Sequence, residues 1–70
     1  NDGDLILFKK TNDFVSGDIV LAQTPDGTTV KRFMSQSNPP RKFLKPENPK
    51  YKPIPFTLET EIIGKMIKNL

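Results

Sequence analysis

The sequence contains no cysteine and no histidine. The missing cysteine excludes disulfides, thiolate zinc sites and cysteine nucleophiles, and it is typical of cytoplasmic proteins. The missing histidine excludes a Ser-His-Asp triad and imidazole metal ligands. Long hydrophobic runs are absent too, since the apolar runs at 5–8 and 19–22 are far too short to span a bilayer. No charged leader precedes these runs, so we expect neither a signal peptide nor membrane attachment.

The size and charge of the chain limit what it can be. Its 70 residues, of which 34% are hydrophobic, allow one domain with a thin core. Eleven basic and eight acidic residues give a net charge of +3, and the basic residues fall in pairs rather than in a run. This distribution predicts a solvated surface more than a surface dedicated to nucleic acid. Because the first residue is Asn1 rather than Met, we expect a piece of a longer protein.

The apolar pattern is typical of short β-strands. Three runs, at 5–8, 19–23 and 28–34, are each bounded by turn-forming residues, and no segment repeats its apolar residues with a helical period. The sequence Thr-Pro-Asp-Gly-Thr at 24–28 predicts a tight turn in which Gly27 takes a positive φ. Strands at 19–24 and 28–34 should therefore form a β-hairpin.

The second half of the chain changes composition. Six of the seven prolines lie between positions 39 and 55, and proline cannot donate a ladder hydrogen bond. We therefore predict a fixed, extended connection over the sheet surface at 35–55, interrupted by a short strand at 42–45. Residues 56–67 predict a long last strand with a bulge or bend near Gly64. A helix over 59–69 is the alternative, which Gly64 and the isoleucines disfavour.

Gly-Asp followed by aliphatic residues occurs twice, at positions 3 and 17, and each copy predicts a tight turn that opens a strand. A metal site is the alternative interpretation, because carboxylates gather around Mg²⁺ or Ca²⁺. Its candidate ligands would be Asp2, Asp4, Asp13 and Asp18. No complete calcium loop is present, so we expect neither a metal nor a cofactor.

Four segments, in this order, carry a resemblance to a known family. They are Asp-Gly-Asp-Leu at 2–5, Thr-Thr-Val-Lys-Arg-Phe at 28–33, the Pro-rich stretch at 44–54, and Ile-Ile-Gly-Lys-Met-Ile at 62–67. The set resembles the C-terminal domain of LexA-like and UmuD-like proteins and of bacteriophage repressors, which are self-cleaving serine–lysine peptidases. The resemblance covers nearly the whole chain. It implies an all-β fold, a small LexA-like or signal-peptidase-like domain of short twisted strands with a Pro-rich connection.

The resemblance also implies a site and partners. Lys31 is the only position that matches the family's lysine, which activates the catalytic serine. That serine should lie just before Asn1, and Ser16, Ser35 and Ser37 do not match it, so we expect this chain alone to be an inactive peptidase. The implied partners are a second copy of the chain and, in the parent protein, a RecA filament and operator DNA bound by a further N-terminal domain. The implied location is the cytoplasm of a bacterial or phage-infected cell.

The chemistry asked of Lys31 has its own requirements. A serine hydroxyl needs a base to become a nucleophile, and a lysine amine must be desolvated to be neutral near pH 7, because lysine titrates at about 10.4 in water. Strand alternation places Lys31 on the same face as Thr29 and Phe33. If that face is packed, the lysine is partly buried. The alternative is a solvated strand lysine whose stem lies along the sheet.

Two further hypotheses concern binding. One is a small barrel-like module for nucleic acid or peptide, with the net charge and the aromatic rings as support, although such rings more often form a core. The other is a dimer formed through the last strand. We expect this strand to be an unpaired terminal strand of the sheet, and an alternating strand would leave either Ile62 or Ile63 exposed, which invites pairing with a second copy. On that hypothesis Ile63→Lys weakens the dimer and a change at Ile62 unfolds the monomer, or the reverse.

Overall fold

A computed structural model gives the structure of residues 6–69, with side chains described through residue 67. The Asp-Gly-Asp motif at 2–4 and Leu5 lie outside the described residues. The described part is built from strands, which confirms the all-β prediction, and no helix in it could cross a membrane. The strands are β1 (Ile6–Lys9), β2 (Ile19–Thr24), β3 (Gly27–Ser37), β4 (Pro40–Lys45), β5 (Ile54–Pro55) and β6 (Glu61–Asn69).

The strands form one antiparallel sheet in the order β1-β6-β2-β3-β4-β5. The last strand therefore lies between β1 and β2, and the expectation of an unpaired terminal strand is wrong. The register between β2 and β6 shifts where Leu21 faces Gly64 and Ala22 faces Ile62, which confirms the bulge near Gly64. A Cβ atom at Gly64 would lie 2.7 Å from the carbonyl oxygen of Lys9, so glycine lets β1 come close here.

The β2–β3 hairpin forms as predicted. Pro25 and Asp26 make the turn, and Gly27 has a φ of +118°. The Thr24 hydroxyl accepts a hydrogen bond from the Asp26 N–H at 3.2 Å and donates one to the Gly27 carbonyl at 2.9 Å. The turn thus satisfies its own polar groups and fixes which residues of β2 and β3 face each other.

The Pro-rich region is more regular than predicted. β3 continues to Ser37, a turn at Asn38 and Pro39 follows, and β4 begins at Pro40, so the expected connection is wrong for 35–41. Proline is tolerated at Pro40 because the first residue of a strand does not have to donate to the ladder. The irregular connection is confined to 46–53, between β4 and β5, and residues 57–60 form a turn rather than strand.

The core lies on one face of the sheet. Its fully buried apolar side chains come from β2, β3 and β4: Val20, Ala22, Phe33 and Leu44. Phe33 faces Leu44 across the β3–β4 ladder, and the rings of Phe14 and Phe56 pack edge-on against Phe33 at centroid distances of 4.8 and 5.8 Å. Burial of this cluster on a three-strand platform fixes the orientation of β3, the strand that carries Lys31.

Candidate functional site

Lys31 lies on the core face of β3. It is paired with the fully buried Val20 of β2, and two residues along the strand Phe33 enters the core. The predicted sharing of one face by Thr29, Lys31 and Phe33 is therefore confirmed. Lys31 is half-buried.

The Lys31 amine is held by its own strand. Its Nζ donates a hydrogen bond to the Thr29 hydroxyl at 2.7 Å and another to the Val30 carbonyl at 3.3 Å. Both acceptors are neutral, and neither forms an ion pair with the amine.

The amine lies at the wall of a cavity of about 580 Å³. β3 supplies Val30 and Lys31, and the connection after β4 supplies the opposite wall. That wall consists of Pro46, Glu47, Asn48, Tyr51, Lys52 and, at the start of β5, Ile54. The cavity is mostly apolar, with a few polar groups at one side, which is the usual composition of a binding cleft.

The cavity exists because β3 changes its partner halfway along. Residues 27–32 pair with β2, whereas 32–37 pair with β4, so the first half of β3 has no strand on its β4 side. The Phe33 N–H points toward the β2 side, where it donates to the Asp18 carbonyl at 2.8 Å. By alternation the N–H and C=O of Val30 point the other way, into the cavity. An open stretch of backbone therefore lies beside the Lys31 amine.

Arg32 is a residue that the sequence interpretation did not single out. Its Nη1 donates to the Gly17 carbonyl at 2.7 Å, and its Nη2 lies 2.9 Å from a carboxylate oxygen of Glu47. Each partner is 15 residues away along the chain, one before and one after. No spacing rule in the sequence signals such a contact.

The metal interpretation receives no support from the described part of the chain. Among residues 6–67, no group of three potential ligands comes together. Asp18 serves the turn before β2, since its Oδ2 accepts the Val15 N–H at 2.9 Å and lies 3.8 Å from the Lys65 amine. Asp13 is exposed, and Asp2 and Asp4 lie outside the described residues.

Ser16, Ser37 and the ring of Phe33 lie at structural positions of the fold. Ser16 accepts a hydrogen bond from the Ser35 N–H at 3.0 Å, and Ser37 ends β3. Phe33 is buried, so it offers no face for a base to stack on, as the core interpretation of the rings predicted. Tyr51 is the exposed ring at the Lys31 cavity.

Comparison with known proteins shows the family to which the chain belongs. A family model described as Peptidase S24-like matches residues 1–67. The chain belongs to the Peptidase S24-like family. A LexA repressor of Clostridium tetani (strain Massachusetts / E88) is 42% identical over 66 residues, which cover 94% of this chain and 32% of that relative.

A second relative gives the same result. A LexA repressor of Hahella chejuensis (strain KCTC 2396) is 42% identical over 60 residues, which cover 86% of this chain and 29% of the relative. The chain thus spans about a third of the length of the curated relatives that it matches. The predicted resemblance to a LexA-like serine peptidase domain is confirmed.

Proposed function

We propose that this S24-like chain is part of the C-terminal autopeptidase and dimerisation domain of a regulator of the LexA, UmuD or phage-repressor type, with Lys31 as the base of a Ser–Lys pair. The observation that carries the proposal is the placement of the Lys31 amine. It is half-buried, bonded to the Thr29 hydroxyl, and exposed to a cavity beside open β3 backbone. A general base needs this combination of a fixed position and access to the reacting group.

The proposed reaction is hydrolysis of a peptide bond in two steps. The neutral Lys31 amine takes the proton of the serine hydroxyl as the serine oxygen attacks the scissile carbonyl carbon. The ammonium then gives that proton to the leaving amine, which leaves an ester on the serine. Water hydrolyses the ester, with Lys31 accepting and returning the proton again. The Thr29 hydroxyl holds the amine, and the nucleophile is the serine that the family resemblance places before Asn1.

The open edge of β3 suits an extended peptide as the substrate. The backbone groups of Val30 point into the cavity, and such an edge adds a peptide as a further strand. The apolar wall formed by Pro46, Tyr51 and Ile54 then contacts side chains of that peptide. In the proposed parent protein the peptide belongs to the same chain, cleavage is triggered by a RecA filament, and operator DNA is bound by a separate domain.

Replacement of Lys31 tests the proposal in the full-length protein. Lys31→Ala should abolish self-cleavage at neutral pH and also near pH 10, where a substantial fraction of free lysine amines is neutral because their pKa is about 10.4. The domain should still fold, because the change removes a base and part of a stem but no backbone bond. The matched control is Lys45→Ala, an exposed lysine on the next strand. The measurement is the rate of loss of intact protein, and wild-type cleavage in Lys31→Ala would contradict the proposal.

We propose in addition that the domain forms a dimer through the β1–β6 end of its sheet. Three large apolar side chains are exposed there: Ile6 (49%), Leu7 (44%) and Ile67 (55%). β1 is the sheet edge at this end. Ile62 packs against the core cluster and Ile63 is half-buried, so Ile67 is a better surface probe than either. A two-fold axis beside β1 would make this end of the sheet self-complementary.

Sedimentation of the full-length protein over a wide concentration range tests the dimer. Ile67→Lys should raise the dimer dissociation constant by at least about tenfold, since one buried apolar side chain accounts for roughly 1.5 to 3 kcal/mol. The matched control is Leu58→Lys, at a fully exposed leucine in the turn before β6. A monomer at all concentrations, or equal effects of the two changes, would exclude this interface.

A further inference from the structure

Between its buried first residue, Pro46, and its return to the sheet at Ile54, the wall of the cavity opposite Lys31 has few polar links to the sheet. This wall is the connection at 46–53, which leaves the sheet after β4 and returns at Ile54. Two hydrogen bonds lie within this connection. The Tyr51 N–H donates to the Asn48 carbonyl at 3.1 Å, and the Lys50 N–H donates to the Asn48 side chain at 2.9 Å. These bonds shape the connection but do not fix its distance from β3.

Arg32 supplies that link. Within residues 6–67, the side-chain hydrogen bond that joins the connection to β3 is the one from Arg32 Nη2 to Glu47, at 2.9 Å. The other arm of the guanidinium donates to the Gly17 carbonyl at 2.7 Å. Gly17 is itself bound to the same strand, because its N–H donates to the Phe33 carbonyl at 2.8 Å. The guanidinium is thus fixed on one side and holds Glu47 with the other.

We propose that Arg32 is a positioning residue for the Lys31 cavity. By holding Glu47, it sets the distance between the 46–53 wall and the open edge of β3, and hence the width of the cleft in which the peptide lies. This inference rests on the proposed function of Lys31. Arg32 does not act on the reacting atoms, because alternation sends its side chain to the sheet face opposite Lys31.

The position and the chemistry of Arg32 both suit this role. It is the residue of β3 that pairs with both neighbouring strands, with Ile19 of β2 and Lys45 of β4, so its backbone has a strand on each side. A planar guanidinium bonds two acceptors in fixed directions, which a lysine ammonium does not do. The Arg32 and Glu47 side chains are 38% and 67% exposed, so the pair adds little to global stability, and its loss should act locally.

Self-cleavage of the full-length protein gives the first test. Arg32→Met and Glu47→Gln should each lower the rate on the alkaline plateau by about tenfold, the order expected when a substrate wall shifts by less than an ångström. The double variant should be no slower than the slower single variant, because both changes break one contact. The midpoint of the pH profile of the self-cleavage rate should stay unchanged, since neither residue is the base. Lys45→Met and Glu59→Gln are the matched exposed controls.

A conservative change separates position from charge. Arg32→Lys keeps the positive charge but not the two-armed geometry, so it should remain as slow as Arg32→Met. Full recovery in Arg32→Lys would overturn the positioning role, as would wild-type cleavage in Arg32→Met or Glu47→Gln. Losses that multiply in the double variant would overturn it too, because they would show that the two residues act independently.

Amide hydrogen exchange separates failure of this inference from failure of the proposed function. Exchange of the hydrogen-bonded Lys50 and Tyr51 amides should be about two- to fivefold faster in Arg32→Met and Glu47→Gln than in the two controls, the range that the loss of a partly exposed ion pair allows. If Lys31→Ala cleaves normally, or if the protein does not cleave at all, the proposed function fails and exchange alone decides whether Arg32 holds the wall. Unchanged exchange at Lys50 and Tyr51 would overturn the inference whatever the cleavage assays show.

Discussion

The two halves of β3 differ in what covers their edges. Residues 27–31 are paired with β2 and have a cavity on the other side, whereas residues 33–37 are paired with β4 and have the segment before β2 on the other side. That segment closes the second half through three bonds. The Gly17 N–H donates to the Phe33 carbonyl and the Phe33 N–H to the Asp18 carbonyl, both at 2.8 Å, and the Ser35 N–H donates to Ser16 at 3.0 Å. One strand thus has a closed half and an open half, which meet at Arg32.

The comparison shows how a thin domain can hold the proposed base, Lys31, in place. The closed half anchors Phe33 in the core, with two aromatic rings packed on it. Lys31 lies two residues earlier on the same face of β3, so the core that fixes Phe33 also fixes the direction in which the lysine side chain leaves the strand. The open half then leaves backbone and amine accessible to a peptide. A site on a strand that is rigid at one end is more precise than one on a loop.

The largest predicted loss of stability comes from a change in the turn at Pro25 and Asp26, which leads into the open half of β3. Gly27→Val should lower the free energy of unfolding by about 1 to 3 kcal/mol, because a β-branched residue resists positive φ. The cost is conformational, since a Cβ at Gly27, where φ is +118°, would meet no atom within 4 Å. A slip of one residue in register would also turn Lys31 away from the core face. Urea unfolding of the full-length protein measures the change.

Thr28→Val is the matched control for Gly27→Val. It places the same side chain at the next position of the hairpin and removes one exposed hydrogen bond, from the Thr28 hydroxyl to Gln23 at 2.8 Å. Its cost should stay below about 1 kcal/mol. Equal unfolding midpoints for the two variants would contradict the argument, because they would show that the turn does not depend on the backbone of Gly27.

The parts of the fold that the sequence predicted are local. The Thr-Pro-Asp-Gly-Thr segment specifies its turn through side-chain and backbone chemistry within five positions, so the β2–β3 hairpin could be predicted. The face shared by Lys31 and Phe33 follows from alternation alone. The bulge near Gly64 had a signal as well, because a glycine interrupts an apolar strand pattern.

The parts that it did not predict are contacts between distant segments. The insertion of β6 between β1 and β2 depends on which edges are free once the hairpin has formed, and no local pattern encodes this. Ile62 and Ile63 were therefore interpreted as the face of an outer strand, whereas the bulge lets both lie in an internal one. The contacts of Arg32 were missed for the same reason. In the Pro-rich region the short strand at 42–45 was predicted, whereas the start of β4 at Pro40 and the extension of β3 to Ser37 were not, because a proline-rich composition indicates an irregular connection.

The finest test of the comparison is the exchange of two amides on β3 itself. Val30 and Met34 are four positions apart, so strand alternation points both N–H groups to the side away from β2. Met34 faces Phe43 of β4 there, whereas Val30 faces the cavity. The Val30 amide should therefore exchange at least about tenfold faster than the Met34 amide, since a ladder hydrogen bond protects the second but not the first. Residue-resolved exchange measured by NMR in the wild-type protein gives both rates from one sample.

Equal protection of the Val30 and Met34 amides would mean that another part of the protein already covers the open half of β3, and the cleft beside Lys31 would then be closed in the resting protein. A peptide that binds along this edge should slow the exchange of Val30 and leave Met34 unchanged, which would locate the substrate on the open half.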